Sequence, residues 1–227
     1  KWDSRAVWVD KRYANPGKWI DTGTGKAFTP KQHYYVGGNT KVYGAILFRF
    51  REQDFRSSQH VDGESPAWPI SYADLGPDYG AEEHIFWVHA NKDEDPTDPW
   101  RSPDYPFPGL AHEGAMAKLV DAARRQGLHP FAAPQALDRR PGGSCVLCYT
   151  CDSFACMVEA KGDADVAAVR PALRAATKNV RLLTNAEVTQ LNTDTTGRTV
   201  TAAQILHQGR RIQVRAKRFV VACGAVN

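Results

Sequence analysis

Apolar and polar positions along the chain follow two periods. Between His112 and Leu128, the residues Ala115, Met116, Leu119, Val120 and Ala123 recur at helical spacing and predict an amphipathic helix. Arg124 and Arg125 suit its C-terminal dipole, and Gly127 is placed to end it. Further along the period becomes two. Val200 to His207 and Arg211 to Val214 alternate around Gln208-Gly209-Arg210, which predicts a hairpin, and Asp194-Thr195-Thr196-Gly197-Arg198 predicts a second turn before it. Val180 to Asn185 and Val188 to Leu191 read as strand material, as does the short run Val7-Trp8-Val9. Phe219 to Ala222 is continuously apolar, the pattern of a buried parallel strand, and it enters a turn at Gly224.

Breakers and caps place the remaining elements. Ser71 with Asp74 three residues on predicts a capped short helix, and Pro77 predicts the opening of a second helix over Asp78 to Val88. A further helical segment is expected between Asp163 and Thr177, with Pro171 inside it. Val42 to Phe50 fits a helix or an extended segment, Arg51 to Trp68 reads as a polar surface crossing, and Phe131 to Leu137 reads as extended. Asn91 to Leu110 holds Pro96, Pro99, Pro103, Pro106 and Pro108, so it cannot be a regular helix or a central strand; long connections of this kind form lids or channel walls. Thr22-Gly23-Thr24-Gly25-Lys26 lacks the glycine spacing and the trailing hydroxyl of a phosphate loop and predicts a hairpin turn instead.

The run Tyr34-Tyr35-Val36 leads into Gly37-Gly38-Asn39-Thr40, followed by Lys41-Val42-Tyr43-Gly44-Ala45. Adjacent glycines allow positive φ and let a ligand approach the backbone, so the loop suits an anionic or flat group; a plain turn is the other reading. No Gly-x-Gly-x-x-Gly occurs in the chain.

Charge and composition exclude several classes. A net charge of +4 without a block of like charges gives no nucleic-acid tail. No apolar stretch is long enough for a membrane span, and Lys1 to Arg5 carries no apolar signal core. The cysteines do not form a spread disulfide framework, so a cytoplasmic location is expected. Cys145, Cys148 and Cys151 have a spacing compatible with iron–sulfur ligation, but Cys156 sits one residue too far for the ferredoxin run and no second separated pair offers a zinc site. A compact loop of packed thiols, with room for one disulfide among them, is the competing reading. None of the seven histidines lies in a nucleophile motif, and His33 is the one nearest the glycine loop.

The glycine loop, Ile46 to Phe55 after it, Trp68-Pro69-Ile70-Ser71-Tyr72-Ala73-Asp74-Leu75, Asn179 to Leu191 and Val220 to Asn227 together resemble, in order and spacing, the glucose–methanol–choline (GMC) oxidoreductases. The resemblance implies an α/β fold: an FAD-binding, Rossmann-like domain interrupted by an antiparallel-sheet substrate domain, both incomplete here. Residues 1–55 and 141–227 would belong to the first and 56–140, with the Pro-rich loop, to the second. FAD is the implied cofactor. Gly37, Gly38, Asn39 and Thr40 match the loop beside its pyrophosphate and ring, Tyr43, Gly44 and Ala45 the turn that approaches the ring, Val188 the strand residue at the adenine, and Ala222, Cys223 and Gly224 the turn near the ribose. Many members carry Asn where this chain has Tyr43, which alters flavin contact. The implied reaction is oxidation of a CH–OH group of a small alcohol, sugar or polyol, with an unspecified electron acceptor. The family's dinucleotide unit and its catalytic histidine match no residue here, so part of a longer polypeptide is expected. A cysteine-ligated electron-transfer module and a truncated, non-catalytic remnant are the alternatives.

Overall fold

The structure, a computed structural model, describes residues 5–6, 9–12, 14–15 and 17–224. Most of the expected strand Val7-Trp8-Val9 lies outside them, and Val9 itself is in a turn. The chain divides into two compact units, Lys1–Ala14 with Gln32–Arg174, and Asn15–Lys31 with Ala175–Asn227.

The first unit is built around a small patchwork of extended segments. Strand β5 (Val88–His89) pairs antiparallel with β6 (Gln135–Ala136), and Ile46 bridges Gln135 from the other side. The Ala136 N–H donates to Ala45 O at 2.8 Å, the Gly162 N–H to Ala136 O at 2.8 Å, and Leu137 bridges Lys161. Ala45, Val88, Ala136, Leu137 and Ala160 are buried there. Small side chains let these backbones come together, so chain separated by over a hundred residues shares one core. An exposed hairpin, β3 (Ser58–His60) with β4 (Gly63–Ser65), fills the expected polar crossing. Val42 to Phe50 is not helical.

Helix α1 (Tyr72–Ile85) starts on the expected capping box: Ser71 Oγ accepts from the Asp74 N–H, and Asp74 Oδ2 accepts from the Ser71 N–H at 2.8 Å. It runs through Pro77 rather than restarting there. Proline forfeits one hydrogen bond, but its φ suits a helix. Tyr72 before it and Glu83 after it are both buried, and those contacts hold one axis across the proline. Helix α2 (Gly114–Arg125) forms where the periodicity placed it and ends at Gly127, yet only Val120 of its apolar stripe is buried. A π-helical turn, Asp165–Val169, runs into α3 (Arg170–Arg174).

In the second unit, β1 (Trp19–Ile20) and β2 (Ala27–Phe28) form the expected hairpin, with Asp21 Oδ1 accepting from the Gly23 and Thr24 N–H groups. Strands β7 (Ala186–Thr193), β8 (Val200–His207) and β9 (Arg210–Val214) make an antiparallel sheet in that order, with both predicted turns in place. Two expected strands do not form. Val180 to Asn185 is irregular, and so is Phe219 to Ala222, where Val220 is 89% and Val221 68% exposed. A strand exists only when its N–H and C=O groups find a neighbouring ladder, and none of the described residues supplies one to either segment. No helix among the described residues is long and apolar enough to cross a membrane.

Candidate functional site

The glycine loop is not a strand end but a left-handed entry into a 3-10 turn. Gly37 stands at φ 91° and Gly38 at φ 50°, and the turn Gly38–Lys41 follows. At Gly37 a Cβ would lie 3.1 Å from Asp165 Cβ and 3.2 Å from the Asp165 nitrogen, so glycine is needed both for its φ and for close approach. At Gly38 no heavy atom lies within 4 Å of where a Cβ would stand, so this backbone face is open.

The loop is gripped by a segment more than a hundred residues downstream, Lys161-Gly162-Asp163-Ala164-Asp165. Thr40 Oγ1 donates to Gly37 O and accepts from the Ala164 N–H at 3.0 Å. Lys41 Nζ lies 3.0 Å from Asp163 Oδ1 and 2.6 Å from Asp165 Oδ2. Asp163 Oδ1 in turn accepts from the Asp165 and Val166 N–H groups at 2.9 and 3.0 Å, which caps the helical turn that begins there. Arg170 holds Asp165 Oδ2 from the other side at 2.9 Å. Burial pushes the Asp165 carboxyl up, but Lys41 and Arg170 more than reverse this and hold it below the usual carboxylate range. The two aspartates beside the glycines are thus charge-compensated, so they do not repel an anion as bare carboxylates would.

Tyr43 is fixed at both ends. Its hydroxyl donates to Gly162 O, and its carbonyl accepts from Lys161 Nζ at 2.8 Å. Burial, reinforced by the Asp163 charge, pushes its phenol well above the usual value, so it stays protonated. Ala45, at φ 64° and 1% exposed, carries the chain into the core. Asn39 Oδ1 accepts from the His33 N–H at 3.2 Å, which ties His33 to the loop. A Cβ on Gly44 would make ordinary contact with Asp152.

The other expected site residues belong to the second unit. Val188 lies on β7, exposed, where the pairing with β8 slips by one residue between Val188 and Gln190. Ala222, Cys223 and Gly224 are exposed and irregular, with Gly224 at φ 82°. The structure therefore gathers Gly37 to Ala45 in one place and Val188 with residues 222–224 in the other unit.

The residues that pattern reading passed over are Lys41, Lys161, Asp163 and Asp165. No periodicity marks them, because their partners are distant in the chain. The thiols of Cys145, Cys148, Cys151 and Cys156 are all free, and among the described residues no group of His, Cys, Asp or Glu is arranged to hold a metal ion. The thiols differ in surroundings: Cys156 Sγ accepts from the Ala160 N–H at 3.2 Å, burial pushes the Cys151 thiol up, and Cys148 is exposed.

The model of the GMC oxidoreductase family matches residues 108–227, just over half of the chain. The chain is 34% identical to 6'''-hydroxyparomomycin C oxidase of Streptomyces lividus and 32% identical to paromamine 6'-oxidase of Streptomyces fradiae, with 92% of this chain covered in each comparison. It spans 38% and 37% of the length of those two proteins.

Proposed function

The chain belongs to the GMC oxidoreductase family, whose N-terminal domain binds FAD, and from that premise we propose that it forms part of an enzyme oxidising a CH–OH group of a sugar, small alcohol or polyol. The observation that carries this reading is the similarity over 92% of the chain to two proteins named as oxidases of hydroxyparomomycin C and paromamine. Aminosugars are accordingly the first substrates to test.

The residues present fit one part of the cofactor. The open backbone face at Gly38, the close-packed Gly37 and the neutralised aspartates make a loop that a flat or anionic group can approach. Gly37, Gly38, Asn39 and Thr40, with Tyr43, Gly44 and Ala45, are the residues that would hold FAD in the first unit; Val188, Ala222, Cys223 and Gly224, which the resemblance assigns to its adenosine, belong to the second unit. When bound, flavin would supply the redox chemistry for the alcohol oxidation. What this chain's own residues do is position: Thr40, Lys41 and Tyr43 anchor the loop so that its backbone is preorganised. No residue here is assigned to take the alcohol proton.

The test is a visible absorption spectrum of the protein expressed from its complete reading frame, before and after anaerobic addition of an aminosugar and then dithionite. Two flavin bands that bleach with the sugar bear the proposal out. A colourless protein, or a broad absorption that disappears when Cys145, Cys148 or Cys151 is replaced by serine, overturns it. The rate of reoxidation by air separates oxidase from dehydrogenase.

A further inference from the structure

Lys161 is the most enclosed charged group of the described residues, at 0% exposure. Its Nζ donates to Tyr43 O at 2.8 Å, Cys151 O at 2.7 Å and Phe154 O at 2.7 Å. Those bonds use every proton of an ammonium group, and all the acceptors are backbone carbonyls of irregular segments. We propose that Lys161 is a positioning residue for the flavin-side turn, setting the backbone at Tyr43–Gly44 by tying it to the loop of cysteines. This rests on the reading that the glycine loop serves FAD.

The physical argument starts from cost. A buried ammonium is expensive unless fully hydrogen-bonded, and an apolar side chain of the same shape would often serve stability equally well. A charge retained at such a place contributes geometry: charge-assisted bonds are short and directional, and three of them from one nitrogen fix three carbonyls relative to one another. Here one of the carbonyls belongs to the turn next to Gly44, and the other two belong to residues 151 and 154. Gly162, the next residue, receives the Tyr43 hydroxyl, so one dipeptide grips Tyr43 by its carbonyl and by its ring. The Lys161 ammonium also faces that ring, 5.5 Å from its centroid. The Ser153 N–H donates to Val42 O at 2.8 Å, so the cysteine loop meets the same turn a second time. With all its protons engaged, Lys161 has none to spare for the reaction, which separates positioning from acid–base catalysis.

The experiment uses the complete protein and reads FAD binding directly. Apoprotein is titrated with FAD for the wild type, Lys161→Met and Lys161→Ala, and the flavin band shape and the thermal midpoint are recorded. We expect Lys161→Met to fold and to bind FAD on the order of tenfold more weakly, with a shifted visible band. In Lys161→Ala, propylammonium, which replaces the atoms removed, restores affinity and band shape, whereas tetramethylammonium, which has no N–H to donate, does not. An unchanged affinity and spectrum in folded Lys161→Met overturns the inference, as does equal restoration by the two cations. Should both lysine variants fail to fold, Lys161→Gln keeps an uncharged N–H donor at the site; the same weaker binding and band shift are expected there, and unaltered FAD binding in that variant overturns the inference. A wild-type protein that takes up no FAD defeats the functional reading itself, which distinguishes the two failures.

Discussion

Arg49 and Glu83 meet in a fork-to-fork pair, Nε to Oε1 at 2.8 Å and Nη2 to Oε2 at 2.7 Å, with 2% and 4% of their side chains exposed. Glu83 Oε1 also accepts from Arg101 Nη1 at 3.0 Å, and Arg49 Nη1 donates to the Tyr72 hydroxyl at 3.1 Å. One carboxylate therefore balances two buried guanidiniums, with Asp98 assisting at Arg101. Burial pulls the Arg49 guanidinium down, but its hydrogen bonds with Glu83 and Tyr72 more than reverse this and leave it above its ordinary value.

Glu83→Gln keeps the shape and removes the charge, so buried Arg49 loses its carboxylate partner and Arg101 is left with Asp98. The expected loss is about 3 to 5 kcal/mol, far more than for a surface pair. Urea unfolding at neutral pH measures it as a lower midpoint with an unchanged slope. A loss under about 1 kcal/mol would mean that solvent reaches the pair.

Gly37→Ala and Gly38→Ala should separate fold from ligand approach. Both positions have left-handed φ, which costs an alanine about 1 kcal/mol or more. At Gly37 the added Cβ also meets Asp165, so the loop must move and the loss should exceed that at Gly38 by about 1 kcal/mol or more. At Gly38 the methyl enters open space, so stability falls modestly while FAD uptake falls further. Thermal midpoints set beside FAD titrations of the two variants make the comparison; equal stability losses would count against the contact with Asp165.

Acid should loosen the glycine loop through Asp165. Its folded pKa lies below the unfolded value, so in the window between them the unfolded chain binds more protons. The stabilisation is complete above the unfolded value and is lost as pH falls through the folded one, on the acid side of the ordinary carboxylate range. Stability measured across that window should fall more steeply in the wild type than in Asp165→Asn. Parallel curves would show that Asp165 is not the group responsible.

His89 should give a second, milder slope nearer neutrality. It is buried, stacks on Phe107 with centroids 5.0 Å apart, and its Nδ1 lies 3.0 Å from Pro108 O. Burial lowers its pKa; Arg139 acts in the same direction, while the Pro108 carbonyl and Asp138 oppose it. The folded state thus disfavours the charged ring, and stability falls as pH drops through the ordinary histidine range, about 6.5, where the unfolded chain takes the proton first. His89→Phe should flatten the thermal midpoint over that range. Hydrogen exchange of residues 91–110 would show whether the Pro-rich connection loosens first.

The elements that were legible in the sequence are those written in neighbouring residues. Ser71 and Asp74 announce the start of α1 because the capping box is closed within one helical turn. Gly127 ends α2, and the turns at Asp194 to Arg198 and around Gly209 close their hairpins, for the same local reason. The misread segments depended on something absent from the local pattern. Pro77 looks like a helix start until Glu83 is seen to be held by Arg49 and Arg101. Val220 and Val221 look like a core strand, but apolarity alone supplies no ladder for their backbone.

By itself the sequence determined the two periodicities, the caps and turns, and the glycine loop whose order of residues resembles an FAD-binding family. These rest on dihedral preferences and on contacts a few residues apart, which the sequence states directly. Only the tertiary structure decided which charges are buried and what they hold. Nothing near Lys161 in the chain says that it will reach Tyr43, 118 residues earlier, nor that Lys41 will neutralise Asp163 and Asp165. A buried charge is tolerable only when the fold brings distant acceptors to it, so the anchoring of the candidate site became visible only once the chain was folded.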